Sequence, residues 1–315
     1  MYNVDIDILM ATFNGDKYLA EQIDSICKQS YDSWRLYIHD DGSTDKTIEI
    51  IHAFQNAHPN KIFYIDDGLM SNNVINNFFH LITFSTAPYI MLSDQDDIWC
   101  DNKIELSINE IKKLESNNNK NTPLLIFTDS MIVDSDLNII SKSFWHSSKI
   151  HPNKCLSFNK LLIQNIGQGS TFLFNRALWD FIINTTKIEN ILAHDWWIML
   201  NAAAFGKISY VSIPTMLYRQ HFNNIVGSGK YSLSKGIIKL LFSFREIKHE
   251  IIKTQRQVYA FHSQYSEILN IQQNNVLKNY YEINNKPFIF RKFFVIKNHL
   301  WRYPTSRAIT FLFII

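Results

Sequence analysis

The stretch Tyr89-Ile90-Met91-Leu92-Ser93-Asp94-Gln95-Asp96-Asp97-Ile98-Trp99 runs an apolar segment straight into a cluster of carboxylates, and the architecture is read outward from it. Residues 89–93 lack polar alternation, which marks a strand covered on both faces, as in parallel sheets. Upstream, residues 4–10 form a β-rich run that ends in the polar turn Ala11-Thr12-Phe13-Asn14-Gly15, and residues 18–29 carry Leu19, Ile23 and Ile26 at helical spacing. Residues 34–39 read as a second strand, Asp41-Gly42-Ser43 as a turn, and residues 44–55 as a helix with Ser43 or Thr44 as N-cap. A strand over 62–65 and a helix over 74–84 complete the approach to Tyr89. Such alternation predicts an α/β fold with a mostly parallel central sheet flanked by helices, and these sheets bind ligands at the carboxyl ends of their strands. The loops 11–15, 40–45 and 94–97 should therefore converge.

Downstream of the polar break Asn117-Asn118-Asn119, residues 124–128 read as another buried strand and residues 131–154 as loop-like. Gly167-Gln168-Gly169-Ser170 precedes a strand over 171–175, a helix starts near Arg176, and residues 194–205 form a largely buried helix. Residues 207–213 and 216–218 read as two short strands split by Pro214. From about Ser232 the chain becomes amphipathic helix, with Lys and Arg interleaved among Phe, Tyr and Trp. The expected organisation is a body over 1–231, with a 1–123 half and a 124–231 half, followed by a helical extension over 232–315.

At 315 residues and 46% hydrophobic content the chain has ample material for a core. A net charge of +2 argues against a generally basic nucleic-acid binder. The mean hides an asymmetry: residues 231–315 carry 13 Lys and Arg against 4 Glu, a net +9, which leaves residues 1–230 at −7. An acidic body suits a site that holds divalent metal. A basic, aromatic-rich extension suits either an anionic leaflet or simply a solvated helical face. Cys27, Cys100 and Cys155 are too few and too dispersed for a disulfide framework or a metal knuckle, which points to a reducing compartment. The opening MYNVDIDILM lacks the features of a signal peptide, and no apolar run approaches the length of a membrane span. A cytoplasmic protein, peripheral at the inner face of the membrane, is the expectation.

Asp94 and Asp96, two carboxylates on one loop, repel each other unless a cation lies between them. Hard oxygen ligands suit Mg²⁺ or Mn²⁺, which would neutralise a departing diphosphate. By itself an acidic turn is common. Here it follows a buried strand, is extended by Asp97 and Trp99, and lies downstream of a second acidic strand end, Asp40-Asp41-Gly42-Ser43.

Together, the motifs Ala11-Thr12-Phe13-Asn14-Gly15, Asp40-Asp41-Gly42-Ser43-Thr44-Asp45, Asp94-Gln95-Asp96-Asp97-Ile98-Trp99 and His194-Asp195-Trp196-Trp197 resemble those of the inverting family 2 glycosyltransferases with the GT-A fold. The variants Asp-Gln-Asp-Asp-Ile-Trp and His-Asp-Trp, followed by Tyr218-Arg219-Gln220-His221, are similar to bacterial rhamnosyltransferases that build surface polysaccharides from dTDP-L-rhamnose. The resemblance implies that Thr12 and Asn14 line the nucleotide pocket and that Asp40 hydrogen-bonds the base. Asp41 either shapes that turn or touches the donor. It places Asp94 near the ribose and sugar and makes Asp96 the principal metal ligand. His221 adds a metal or diphosphate contact, and Arg219 adds positive charge beside the diphosphate. Asp97 either joins this cluster or caps the following helix. Asp195 is the expected general base, a role worth roughly 10²–10⁴-fold; otherwise it is an ordinary N-cap. Gln168, Gly169 and Ser170 fall where the acceptor binds, with Gly169 alternatively only permitting a tight turn. His194 either orients Asp195 or contacts the acceptor, and Trp196 and Trp197 are candidates for stacking on a sugar, at least one of them being core instead.

The implied partners are a nucleotide-sugar donor (dTDP-L-rhamnose, or alternatively a UDP-hexose) and a saccharide acceptor, often lipid-linked. For the extension, Lys292, Phe293, Phe294, Lys297, Trp301 and Arg302 are expected at the headgroup level of an anionic membrane, with a homodimer contact as the alternative. A catalytically silent sugar-nucleotide binder is disfavoured because Asp94, Asp96 and Asp195 are all present. A nucleotidyltransferase is disfavoured because residues 11–15 lack a basic triphosphate loop. No G-x-G-x-x-G follows the first strand, and neither a Walker loop nor a G-x-S-x-G elbow occurs.

Overall fold

A computed structural model describes residues 4–186, 188–221, 236–302, 311–312 and 314–315. In chain order the elements are β1 (Ile6–Thr12), α1 (Leu19–Cys27), β2 (Trp34–Asp40), α2 (Thr47–Ala57), β3 (Ile62–Ile65), α3 (Val74–Ile82), β4 (Tyr89–Ser93), β5 (Ile98–Trp99) and α4 (Lys103–Ser116). There follow β6 (Leu124–Val133), β7 (Ile139–Ser141), α5 (Phe144–Ser148), α6 (Pro152–Cys155), α7 (Phe158–Leu161), β8 (Phe172–Asn175), α8 (Arg176–Ile183), α9 (His194–Phe205) and β9 (Lys207–Arg219). The extension contributes α10 (Gly236–Tyr265), α11 (Ile271–Tyr281) and α12 (Phe288–Lys297).

The sheet order is β3-β2-β1-β4-β8-β6-β9-β5, with β7 paired to β6. Strands β1 to β4 are all parallel, and β8 enters antiparallel between β4 and β6. Parallel pairing aligns Thr12 with Asp40 and Met10 with Ser93, so the three polar loops leave the sheet side by side. One face of the sheet is covered by α1, α2 and α4 through Ile23, Ile51 and Ile108; the other by α3, α8 and α9 through Phe78, Leu178 and Trp197.

Several expectations are corrected. Residues 131–154 are structured: β6 runs on to Val133, and β7, α5 and α6 follow. The residues around Pro214 form one strand, β9, paired with β6. Its register shifts between Thr128 and Asp129, so Thr128 faces Val211 while Asp129 faces Pro214, and the proline sits at the bulge where a missing N–H is tolerated. Helix α2 starts at Thr47 rather than at 44, because Ser43 and Thr44 are spent on the turn before it.

The extension packs on the body. Val258, Phe261 and Tyr265 of α10 and Leu277 and Tyr280 of α11 belong to the same core as α9, with Phe261 edge-on to Trp197 at 5.3 Å and the Tyr265 hydroxyl donating to Phe181 O. Phe294, expected at a membrane surface, is 7% exposed and part of this core, and Arg302 donates to Ile163 O. Phe293, also expected at the surface, is exposed, together with Phe288, Ile289 and Ile296 of α12. Lys292 lies over the Phe288 ring, and Lys297 over Phe293. The anticipated boundary at 231/232 lies outside the described residues. Among the described residues no helix is long and apolar enough to cross a membrane.

Candidate active site

The site is assembled by a two-residue strand. Immediately after the carboxylate loop, Ile98 and Trp99 of β5 pair antiparallel with Leu217 and Met216 at the end of β9. That pairing brings 94–97 against 219–221 across more than a hundred residues of sequence. His221 Nε2 lies 2.7 Å from Asp96 Oδ2, and its ring stacks on Tyr18 at 5.1 Å. The Arg219 N–H donates to Asp97 Oδ1, and its guanidinium donates to Asp96 O (2.9 Å), Ser135 O (2.9 Å) and Glu21. With 2% exposure and its fork on these three groups, Arg219 fastens the acidic loop to the end of β9.

The carboxylates differ in environment. Burial, reinforced by the charges of Asp96 and Asp195, pushes Asp94 up to about 7; the neighbouring Ser170 hydroxyl offsets part of this. Burial likewise raises Asp97 well above the usual range, with Asp96 and Asp94 adding to it. Asp97 is 1% exposed, and α4 begins only at Lys103, so it does not cap that helix. Beneath it lies Lys103, fully buried, its amine lowered to about 7 by desolvation and packed over the Trp99 ring.

This arrangement is a test of whether a divalent cation fits. Asp94 and Asp96 share a loop at a strand end, an imidazole nitrogen touches Asp96, and the buried Oδ2 of Asp97 has no hydrogen-bond partner. Burial is the larger cause of the raised Asp94, and a cation would relieve the part that comes from Asp96 and Asp195; Asp96 and His221 offer it one carboxylate and one imidazole ligand, a pairing that suits Mn²⁺. Asp96 and His221 would hold it, with Asp94 alongside.

The first two loops are knitted together. Asp40 accepts from Thr12 Oγ1 (2.7 Å), Ser43 Oγ (2.6 Å), Ser43 N (2.6 Å) and Gly42 N (3.0 Å), so both its oxygens organise the turn. Asp41 Oδ1 accepts from Ser71 N and Asn72 N, which ties down the loop after β3. Asn14, at φ +47°, donates its N–H to Ser43 Oγ and accepts from Thr44 N. Gln95, whose role sequence reasoning missed, clamps the first loop by accepting from Phe13 N (2.9 Å) and donating to Phe13 O (3.0 Å). A Cβ at Gly15 would lie 2.4 Å from Gln95 Oε1, so only glycine admits this clamp. The only signal for it is an amide placed between two acids.

Asp195 lies in the first turn of α9, whose N-cap is Ala193, so it is not the cap itself. Its Oδ1 accepts from Trp196 N at 2.6 Å, and its charge reaches Asp94. A Cβ on Gly169 would come within 2.8 Å of His194 Nε2 and 3.3 Å of Asp195 Cβ, so Gly169 permits a close approach rather than a turn. His194 stacks on Phe78 at 4.2 Å; burial lowers its pKa, and its buried Nε2 has no hydrogen-bond partner. Gln168 accepts from Ser130 Oγ, and Ser170 is 1% exposed beside Asp94 and Asp97. Trp196 and Trp197 are both core: their indole N–H groups donate to Leu161 O and Thr185 Oγ1, so neither offers a ring to a sugar.

Fold and site together define a nucleotide-sugar transferase of the GT-A type. The chain belongs to glycosyl transferase family 2, whose family model matches residues 7–130. It is 31% identical over 231 residues to the dTDP-rhamnosyl transferase RfbG of Shigella flexneri, a match covering 70% of this chain and 74% of that one. It is 24% identical over 248 residues to the UDP-Glc:alpha-D-GlcNAc-diphosphoundecaprenol beta-1,3-glucosyltransferase WfgD of Escherichia coli, covering 78% and 83%. Among solved structures it resembles Staphylococcus aureus TarS 1-349 in complex with UDP, with a TM-score of 0.55 at 14% identity, covering 99% of this chain and 90% of that one.

Proposed function

We propose that the protein is an inverting, metal-dependent rhamnosyltransferase that moves L-rhamnose from dTDP-L-rhamnose to a saccharide acceptor, lipid-linked in bacterial surface polysaccharide assembly. The observation that carries this reading is the convergence of Asp94, Asp96 and His221 with Asp195 at the carboxyl end of β4. The likeness to RfbG favours rhamnose; a UDP-hexose donor is the second reading, favoured by the likeness to WfgD.

In this reading residues 1–123 hold the donor, with Thr12, Asn14, Asp40 and Asp41 around the nucleoside, and residues 124–231 present the acceptor beside Gln168, Gly169, Ser170 and His194. Asp96 and His221 would hold a divalent cation, which would supply positive charge to offset that of the departing diphosphate. Asp195, its carboxyl oriented by the Trp196 N–H, takes the proton of an acceptor hydroxyl. The hydroxyl oxygen bonds to the anomeric carbon as the bond to the diphosphate breaks on the opposite side, and the bonding pair departs with the nucleotide. A leaving diphosphate needs no carboxylic acid to protonate it, in contrast to the paired carboxyls of glycosidases. Neutral His194 packs beside Asp195 without adding a competing charge.

The exposed α12 residues Phe288, Ile289, Phe293 and Ile296, flanked by Lys292 and Lys297, fit an anionic leaflet at the cytoplasmic face, where a lipid-linked acceptor would be met. Because Phe294 and α10 are core, the test uses I289E/F293E rather than truncation: cosedimentation with anionic liposomes should fall with the fold unchanged, whereas equal partitioning removes the membrane role. A concentration-dependent dimer lost in the same variant would assign the face to a second subunit.

The functional reading is tested by a donor panel with Mn²⁺ or Mg²⁺, scoring nucleotide diphosphate release with and without lipid-linked acceptors. Preference for dTDP-L-rhamnose and suppression by chelator are expected. Preference for a UDP-hexose selects the second donor, and no acceptor-dependent release with any donor refutes the reading.

A further inference from the structure

Outside the acidic cleft, His39, Asp67 and His80 bring three ligand atoms within 4.8 Å of one another. His39 is the penultimate residue of β2, next to Asp40, while Asp67 lies in the loop after β3 and His80 is on α3. His39 is 2% exposed, and its Nδ1 lies 2.9 Å from Asn77 Oδ1, while Asn77 Nδ2 donates to His39 O. An amide oxygen only accepts, so Nδ1 carries a proton and Nε2 is the ring nitrogen turned toward Asp67. Nε2 lies 3.5 Å from Asp67 Oδ1, beyond good hydrogen-bond distance, while His80 Nε2 lies 2.6 Å from Asp67 Oδ2. Two imidazole nitrogens thus flank one carboxylate, one at each oxygen, and the buried imidazole is held in its tautomer by a buried amide.

We infer that His39 Nε2, His80 Nε2 and Asp67 form a binding site for a transition-metal ion of the zinc class, distinct from the cation site at Asp96. Imidazole-rich sets select Zn²⁺ over Mg²⁺ or Ca²⁺, and a partner on the second ring nitrogen is the usual outer-shell support of a metal-bound histidine. Tetrahedral bonds of about 2.0 Å place ligand atoms about 3.3 Å apart. The 3.5 Å edge is close to this, and His80, whose side chain is 21% exposed, is the ligand that would have to shift to complete the set. Asp67, at 29% exposure, leaves an approach for the ion and room for a water as fourth ligand.

The consequence is local order beside the donor pocket. Asp67 Oδ1 accepts from Leu69 N, and the same loop gives Ser71 N and Asn72 N to Asp41 and packs Met70 against Gly42. A metal at Asp67 would staple this loop to β2 and α3. It would support the wall that carries Asp41 and take no part in the chemistry.

The test is metal binding, independent of glycosyl transfer. Untagged full-length protein, stripped with chelator, is titrated with Co²⁺ as a visible reporter and then with Zn²⁺, in excess Mg²⁺. The expectation is one equivalent with tetrahedral Co²⁺ bands that Zn²⁺ displaces and Mg²⁺ does not. His80→Gln should weaken it at least 10–100-fold, Asp67→Asn likewise, and Asp96→Asn should leave it intact. Zinc should raise the melting temperature of the wild type but not of His80→Gln. Should His80→Gln misfold, Asp67→Asn carries the comparison. No stoichiometric binding, or binding lost in Asp96→Asn but kept in both loop variants, overturns the assignment.

Discussion

Replacing Asp94 by Asn should make the metal-free protein more stable at neutral pH, although it damages the site. An ordinary aspartate titrates near 3.8 and Asp94 near 7, raised by burial and by Asp96 and Asp195. Between those values the folded protein holds a proton that the unfolded chain has released, so stability falls as pH rises from about 4 to 7. At about 1.4 kcal/mol per pH unit the separation is worth about 4 kcal/mol, an upper bound for a group with some contact to water. The assay is denaturant unfolding of both proteins in chelator at pH 4.5 and pH 8. Relative to wild type, Asp94→Asn should gain about 2–4 kcal/mol on moving to the higher pH. Adding Mn²⁺ at pH 8 should stabilise the wild type and erase most of the variant's advantage. A stability difference that does not change with pH would refute the claim that this carboxylate is under strain until a cation arrives.

Two further outcomes follow from close contacts. Gly169→Ala puts a methyl group 2.8 Å from His194 Nε2 and 3.3 Å from Asp195 Cβ, so kcat should fall at least tenfold with donor affinity kept; unchanged kcat would show that Asp195 is not positioned from this side. Trp196→Phe removes the indole donor to Leu161 O and should cost about 1–3 kcal/mol in unfolding experiments without altering the acceptor KM, whereas a raised KM with intact stability would restore the ring as a sugar platform.

Much of the fold was legible because burial writes itself into composition. Residues 89–93 lack polar alternation, and β4 has those same bounds; α9 likewise matches 194–205. Misreadings occurred where a polar residue is satisfied out of sight of its neighbours in sequence. Asp129 and Ser130, just past the expected strand, are buried within β6, with Asp129 accepting from Ser143 and Trp145 N. Helix α9 is apolar almost all round, so its sequence could not say which of Trp196 and Trp197 is core; both are buried, with Trp196 donating to Leu161 O. The pairing of β5 with β9 has no signature in two residues, so the hold of Arg219 on the carbonyl of Asp96 could not be read from the sequence. That the acidic loops lie side by side was legible, because parallel strands release their following loops at one edge of the sheet. The His39–Asp67–His80 cluster was not, since its members come from three elements and none carries a motif.

The central claim, that the acidic cleft binds donor while Asp195 performs the proton transfer, is tested most directly by measuring donor binding and turnover side by side on Asp195→Asn in the presence of Mn²⁺. The account predicts nucleotide-sugar binding within a few-fold of wild type and transfer to acceptor reduced by about 10²–10⁴-fold. Turnover near the wild-type rate in that variant would contradict it.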